Sequence, residues 1–303
     1  MIAFRKYDRF EKKNIKLNQD YTLPIWEGQL GNSVIRFSNA SRVSEKRAKI
    51  FTSKEPTTLI WIDGFKEGET LTDVGANVGT YAVWAAVRRK CKVIALEPES
   101  LNFAELNKNI HINGVQHLVR PFCVGISDTP DITDLFLSRF VPSFSHHDVG
   151  EARWEGPVTK LAPSAAERHR QGIIAVRLDW LLPQIPNMQY DHLKIDVDGL
   201  EHKVIAGASK VLHKYKTILL ECDFTLEKTA ELFDFMVQSG WKYSMDQVCF
   251  NREGWMTPDQ WEETRTKKSG GSNVIFYKDS AYDTWWKEAM DPYRDVLGIK
   301  KGQ

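Results

Sequence analysis

Apolar and polar positions divide this chain into three stretches. Residues 1–54 are mostly polar, with short alternating runs at Tyr21–Ile25 and Ser33–Ser38 that predict a hairpin and a helical pattern near Ser41–Phe51. Glu55–Phe65 spaces Leu59, Ile62 and Phe65 along one helix face. From Leu71 onward, short apolar runs alternate with helical patterns. Leu71–Val74, Lys92–Leu96, Leu118–Val124, His192–Val197 and Thr217–Glu221 predict strands. Thr80–Arg89, Ser100–Asn113, Glu201 to about Leu212, and Thr225–Ser239 predict the helices between them. Ile132–Leu137 and Ile173–Leu178 read as further extended pieces, and Trp241–Met245 with Asn273–Tyr277 as a closing strand pair. Continuously apolar strands joined by helices belong to a doubly wound, mostly parallel α/β sheet covered on both faces. In such sheets the ligand sits beyond the carboxyl ends of the strands.

Two segments break the alternation. Ser143–Gly172 is polar, rich in His, Arg, Glu and Pro, and without periodicity. A stretch that long is a lid, a binding loop or a disordered segment. Asp279–Gln303 is aromatic and charged, as a docked helix with a frayed end would be. The organisation expected is an N-terminal extension (1–54), a main domain (55–278) and a C-terminal tail (279–303), with no internal repeat.

Composition narrows the function classes. The 303 residues are 42% hydrophobic, enough for one large domain with an ordinary core. Net charge is +1, so no strong field favours nucleic acid or an anionic membrane. No apolar stretch approaches the ~18 residues of a membrane span, and the first residues lack the apolar run of a signal peptide. Cys91, Cys123, Cys222 and Cys249 form no C-x-x-C pair. Buried thiols in a reducing cytoplasm are expected.

The chemistry gathers at the predicted strand ends. Leu71–Gly79 (L-T-D-V-G-A-N-V-G) reads as a strand breaking into a glycine turn and then a helix. Gly75 and Gly79 remove side chains where the backbone bends or approaches a ligand. Asp73 puts a carboxylate at the mouth of that turn, which repels a phosphate and attracts a sulfonium or amine. The loop therefore suits S-adenosylmethionine, with Asn77 inside the turn. Gly75-Ala76-Asn77-Val78-Gly79-Thr80 is not the G-x-G-x-x-G of dinucleotide sites. Glu97 follows Asp73 by roughly 20 residues, the interval at which an acidic residue bonds ribose hydroxyls in nucleotide-binding folds. Pro98 stops that strand, and Ser100 is placed to cap the next helix, which Gly114 closes. At the end of the third strand, Gly125, Ile126, Ser127 and Asp128 are candidates for the adenine ring and its amino group.

Catalytic candidates lie on the fourth and fifth strands. Lys194 and Asp196 share a face because strand side chains alternate. Asp196, at the carboxyl end, can orient an acceptor, take its proton or hold the cofactor's amine, with Lys194 setting its charge. Glu221 closes the fifth strand and is the next candidate. Asp198 and Glu201 suit a capping box. His146 and His147 read as a solvated loop pair, since no spacing supports a zinc site. Trp241, Trp255, Trp261, Trp285 and Trp286 read as packing, or as a stacking platform for a flat substrate. No metal is expected, although Asp196, Asp198 and Glu221 are the residues that could share one.

These motifs resemble the FkbM family of S-adenosylmethionine-dependent methyltransferases. The matching pieces are Asp73–Gly79, Leu96–Phe103, Val124–Asp128, Leu193–Glu201 and Asn273–Phe276, within residues 55–278. The family commonly has Glu where this chain has Asp198. The resemblance implies a class I, Rossmann-like seven-stranded sheet, S-adenosylmethionine as cofactor, and transfer of methyl to a hydroxyl of a sugar, glycolipid or other natural product. A nucleic-acid or protein methyltransferase is an alternative, though an N-P-P-Y-type tetrad is missing after the fourth strand. A non-catalytic cofactor-binding member is another. The two ends outside the resemblance are candidates for substrate choice or a homodimer contact.

Overall fold

The structure, a computed structural model, describes residues 10–150, 168–251 and 254–296. The strands in chain order are β1 (Phe10–Lys16), β2 (Thr22–Leu30), β3 (Ser33–Ser38), β4 (Thr70–Val74), β5 (Lys92–Leu96), β6 (Val119–Phe122), β7 (Gly125–Ile126), β8 (Asp131–Phe136), β9 (Asp148–Val149), β10 (Arg170–Val176), β11 (His192–Ile195), β12 (Thr217–Asp223), β13 (Lys242–Tyr243), β14 (Phe250–Asn251), β15 (Gly254–Trp255) and β16 (Gly271–Tyr277). The helices are α1 (Arg42–Lys49), α2 (Phe51–Lys54), α3 (Pro56–Asp63), α4 (Thr80–Arg89), α5 (Ser100–Ile112), α6 (Leu178–Leu181), α7 (Glu201–Gly207), α8 (Glu227–Gln238), α9 (Met245–Val248), α10 (Pro258–Thr266) and α11 (Ala281–Val296).

The main sheet has seven strands in the order β13-β16-β12-β11-β4-β5-β6. The four pairings among β6, β5, β4, β11 and β12 are parallel, while β16 runs antiparallel to β12 and β13. This is the doubly wound, mostly parallel arrangement expected. The order reverses between β4 and β11, the switch point where a ligand crevice opens. β4 is buried along its whole length, as a central strand covered on both faces must be. Ala82, Ala85 and Ala86 of α4 are fully buried, and their small side chains let that helix lie close on the sheet.

The extension is not a loose appendage. β1–β3 form an antiparallel sheet, with Trp26 opposite Phe37. Trp26, Leu30, Ile35 and Phe37 share one core with Phe51 and Trp84. Phe37, Phe51 and Trp84 make successive edge contacts, with centroids 5.3 and 5.5 Å apart. Phe51→Ala is expected to cost ~3–5 kcal/mol of stability by opening this chain of rings.

Several local expectations change. A strand at β1 (F-E-K-K-N-I-K) was not anticipated, because its charged residues mask any alternation. Glu99, not Ser100, caps α5: its carboxylate accepts from the Leu101 and Asn102 amides at 2.9 and 2.7 Å. The helix expected to reach Leu212 stops at Gly207, and a short 3-10 turn follows at Leu212–Lys214. The capping box at Asp198 is absent. Leu200 occupies the N-cap of α7, while Glu201 Oε1 accepts from the Val197 and Gly199 amides at 3.1 and 3.2 Å.

The polar loop is partly structured. β9 pairs with β8, and β8 with β10, in a four-stranded sheet of order β7-β10-β8-β9. Its residues 151–167 lie outside the described residues. Trp241, Trp261 and Trp286 are buried as packing groups, and Trp285 covers the bare Cα of Gly64. The side chain of Trp255 and the tail beyond Val296 lie outside what is described. Cys91, Cys222 and Cys249 are buried and Cys123 is exposed; all four are free thiols. Among the described residues, no helix is long and apolar enough to cross a membrane.

Candidate active site

The glycine turn joins the two halves of the site. β4 and β11 run parallel, with Asp73 opposite Lys194 and Val74 opposite Ile195. Beyond them the Gly75 and Ala76 amides donate to the Leu96 carbonyl at 3.0 and 3.1 Å, and the Asp196 amide donates to the Val74 carbonyl at 3.1 Å. Gly75 has φ +78°, and a Cβ there would collide with the Asp196 carbonyl. Only glycine lets these strand ends touch. Gly79 serves packing instead: its bare Cα leaves room for Leu106.

A cleft of about 560 Å³ opens beyond these ends. Gly75, Asn77, Glu97, Pro98, Gly125, Ile126, Ser127, Asp196 and Glu221 line it. Asp73, Gly79, Asp128 and Lys194 are not among its lining residues. Asp73 and Lys194 are each 1% exposed. Asp128 accepts from Ser127 Oγ at 3.0 Å through its carboxylate, and from the Arg177 guanidinium through its carbonyl.

Glu97 is aimed by two backbone donors, the Asn77 and Glu99 amides, each at 2.8 Å. Burial pushes its carboxyl up to about 8, against the pull of those amides. Asn77 holds a left-handed φ of 51° and donates from Nδ2 to the Phe144 carbonyl at 2.8 Å.

Beside the cleft lies a charge network. Lys194 Nζ sits 2.7 Å from Asp196 Oδ2, 3.9 Å from Asp73 Oδ1 and 5.2 Å above the Tyr81 ring. Burial disfavours the ammonium, but Asp196, Asp73 and Glu55 outweigh it and keep Lys194 charged well into alkaline pH. Burial would also raise Asp196. Lys194, Lys54 and a hydrogen bond from Glu221 overcome that and hold its carboxyl well below the ordinary range. Glu221 is raised, first by the charge of Asp196 and then by burial. It remains open to the cleft, so the neighbouring charge is the cause that matters. Lys194 thus favours the charged form of Asp196, and the charge of Asp196 in turn favours the protonated form of Glu221. Asp73 is pushed up to about 6, chiefly by burial, and neither of its oxygens makes a hydrogen bond.

Sequence reasoning missed Arg47, Lys54 and Glu55, which come from the extension and its junction. Arg47 and Lys54 line the cleft. Nothing local to residues 47–55 signals this, because the contact is made by tertiary folding. Both histidines of the polar loop line the cleft. His146 has its amide 2.7 Å from Asp198 Oδ2 and its Nδ1 3.2 Å from Oδ1. His147 is half-buried rather than solvated, and burial lowers its pKa to about 4. Among the described residues, no group of three or more His, Cys, Asp or Glu is placed to hold a metal.

The sequence matches the model of the methyltransferase FkbM domain over residues 73–244, more than half of the chain. This chain belongs to the FkbM methyltransferase family. It is an S-adenosylmethionine-dependent methyltransferase by family, on the class I sheet described above. No curated protein sequence matches it. Among solved structures, the precorrin-6y C5,15-methyltransferase of Geobacter metallireducens aligns at 10% identity and a TM-score of 0.39, over 73% of this chain and 86% of that one. An O-methyltransferase from Bacillus cereus, solved with S-adenosylhomocysteine, aligns at 10% identity and 0.41, over 74% and 82%. The O-methyltransferase TomG of Streptomyces achromogenes, from tomaymycin synthesis, aligns at 10% identity and 0.41, over 74% and 79%.

The cleft residues of this FkbM protein fit the cofactor. Gly75 adds backbone without a side chain to the cleft wall, and Glu97 presents an oriented carboxyl to hydroxyl donors. Ile126 offers an apolar surface, and no basic side chain belongs to the glycine turn itself. When bound, S-adenosylmethionine supplies an electrophilic methyl group on a positively charged sulfur.

Proposed function

We propose that this protein methylates a hydroxyl oxygen of a small organic molecule. The observation that carries the reading is Asp196: a carboxylate on the cleft wall beside Glu221, held at 2.7 Å by the buried ammonium of Lys194. Glu97, Gly75, Asn77, Pro98, Gly125, Ile126 and Ser127 are the cofactor side of the cleft in this reading. Asp73, Gly79 and Asp128 do not line that cleft.

Asp196 acts first by orientation. Its charge is fixed by Lys194, so it accepts a hydrogen bond from the acceptor hydroxyl and directs the oxygen lone pair into the cleft. Alignment of this kind supplies up to ~7–11 kcal/mol. So stabilised a carboxylate is a weak base in the resting state. It suffices late in the reaction, because an oxygen gaining a methyl while keeping its proton becomes strongly acidic. The acceptor oxygen gains the methyl and gives its proton to Asp196, while the electrons of the broken bond stay on the donor's sulfur. Lys194 is the positioning residue, and Glu221 keeps its proton as donor to Asp196.

The test is incubation of the purified protein with methyl-13C-labelled cofactor and small-molecule extract. S-adenosylhomocysteine should form, and the new methyl carbon should resonate as a methoxyl. Label arriving on nitrogen, or only in the protein or RNA fraction, would contradict the reading.

A further inference from the structure

Gln171 belongs to β10, in the small four-stranded sheet, yet its side chain reaches the turn that follows β5. Its Nε2 donates to the Pro98 carbonyl at 2.7 Å, and its Oε1 accepts from the Ser100 amide at 2.9 Å. We propose that Gln171 is a positioning residue of the cofactor site: by clamping both sides of the Pro98–Ser100 turn, it fixes the direction in which the Glu97 carboxyl meets the cofactor. This rests on the reading of Glu97 as a cofactor contact and adds the residue, from another sheet, that aims it.

The contacts form an unbroken chain. The Pro98 carbonyl and the Glu99 amide belong to one planar peptide unit, so holding one sets the direction of the other. That Glu99 amide is one of the two donors that aim Glu97, reaching its Oε1 at 2.8 Å. A donor on the carbonyl side also polarises the unit and strengthens the bond its N–H makes. One residue on, Gln171 satisfies the Ser100 amide, while the Glu99 carboxylate satisfies those of Leu101 and Asn102. Amides at the start of a helix have no carbonyl of the helix to bond, so each needs such a partner. The Cys123 thiol also approaches the Pro98 carbonyl, at 3.8 Å, but a thiol is the weaker donor.

The residue type fits the task. A carboxamide carries a donor and an acceptor on one planar group, and it brings no charge beside Glu97 and Glu99. A carboxylate would have no proton for the Pro98 carbonyl, and an ammonium would have no acceptor for the Ser100 amide. The strand gives the clamp a firm base. Gln171 lies opposite Leu135 of β8, and further along β10 Ala175 and Val176 pair with Gly125 and Ile126. The Ser127 amide donates to the Val176 carbonyl at 3.0 Å. Ile173 and Ala175, which alternate onto the same side of the strand as Gln171, line the cleft. One strand therefore clamps the Glu97 turn at one end and backs Gly125–Ser127 at the other.

The experiment is calorimetry of S-adenosylhomocysteine binding to the full chain, run as a double-mutant cycle of Gln171→Met and Glu97→Gln with each fold checked by circular dichroism. Methionine fills the space of the glutamine and lacks both amide groups. Alone, Gln171→Met should weaken binding about tenfold, the scale of two lost hydrogen bonds. In the Glu97→Gln background the same change should weaken it by less than about twofold, because the group being aimed is already altered. Should Gln171→Met fail to fold, Gln171→Ser, which admits water to both backbone groups, takes its place with the same expectations. Undiminished affinity in the single Gln171 variant overturns the proposal. So does an equal loss in both backgrounds, which is what a general loosening of the turn would give. Full affinity in Glu97→Gln overturns the reading of Glu97 as a cofactor contact, and the proposal with it.

Discussion

β11 begins and ends in buried charge, and its two ends treat that charge differently. At the start, His192 accepts or donates through Nδ1 to Thr217 Oγ1 at 2.7 Å and through Nε2 to Glu69 at 3.0 Å, and stacks on Phe65 at 3.6 Å. Lys216 bridges Glu69 and Asp191, each at 2.7 Å, and Asp191 accepts from the Thr70 amide at 2.9 Å. Every member has a partner, and the cleft is at the other edge of the sheet. At the end of the strand, Lys194 faces Asp196 and Asp73, and Asp73 lacks any hydrogen bond. Satisfied polar clusters at the amino edge of a parallel sheet hold the fold together. Strain of charge at the carboxyl edge marks a site that works on a ligand.

The strongest test of this contrast removes Asp196. Asp196→Ala should lower turnover by ~10²–10⁴-fold while S-adenosylhomocysteine binds nearly as in the wild type. If calorimetry finds cofactor binding abolished, Asp196 is a cofactor ligand and the orienting group lies elsewhere.

Lys194→Met comes next. It leaves two buried carboxylates without their shared cation, a change that costs ~3–5 kcal/mol in denaturant unfolding. Asp196 should then protonate at higher pH, so the acid limb of the kcat/KM profile should move upward. An unmoved limb would remove Lys194 from the role of setting that charge.

At the opposite end, Glu69→Gln should cost ~1–3 kcal/mol of stability with turnover unaltered. The pH dependence carries the sign. Burial acts to raise Glu69, but His192 and Lys216 hold its carboxyl down to about 2, below the ordinary 4.5. The stabilisation is therefore present above about pH 4.5 and fades as pH falls toward 2. His192, lowered by burial, adds to the same trend below its ordinary 6.5, because the unfolded chain takes a proton the fold refuses.

The smallest effect has the opposite sign. Asp73 titrates near 6 in the fold against 3.8 outside it, so its charge opposes folding at neutral pH and the opposition lifts as pH falls from 6 toward 3.8. Asp73→Asn should raise the thermal midpoint at about pH 8 by a few degrees, with the gain shrinking toward about pH 5. A variant less stable than wild type at every pH would show that Asp73 is a structural group like Glu69.

Sequence carried the amino and carboxyl edges unequally. The main sheet was readable because β4, β5, β11 and β12 are short, rich in apolar residues and separated by helical patterns. Gly75 was readable from the turn, although its reason, contact with the Asp196 carbonyl, needed two strands 120 residues apart to be paired. Lys194 and Asp196 were placed together by strand alternation alone. Arg47, Lys54 and Glu55 were not, since they arrive from a segment outside every motif. β7 was hidden because its partner β10 lies beyond the whole polar loop. The cap of α5 went to Glu99 rather than Ser100 because the longer carboxylate reaches two amides at once.

The central claim is that Asp196 stays ionised because Lys194 fixes its charge and Glu221 keeps the pair's proton. Carboxyl-carbon NMR on labelled protein, with Asp196 and Glu221 assigned through their amide variants, reads this directly. The account predicts that Asp196 remains ionised down through the ordinary carboxylate range while Glu221 titrates well above it. Asp196 titrating above Glu221, or both ionised together at neutral pH, would contradict it.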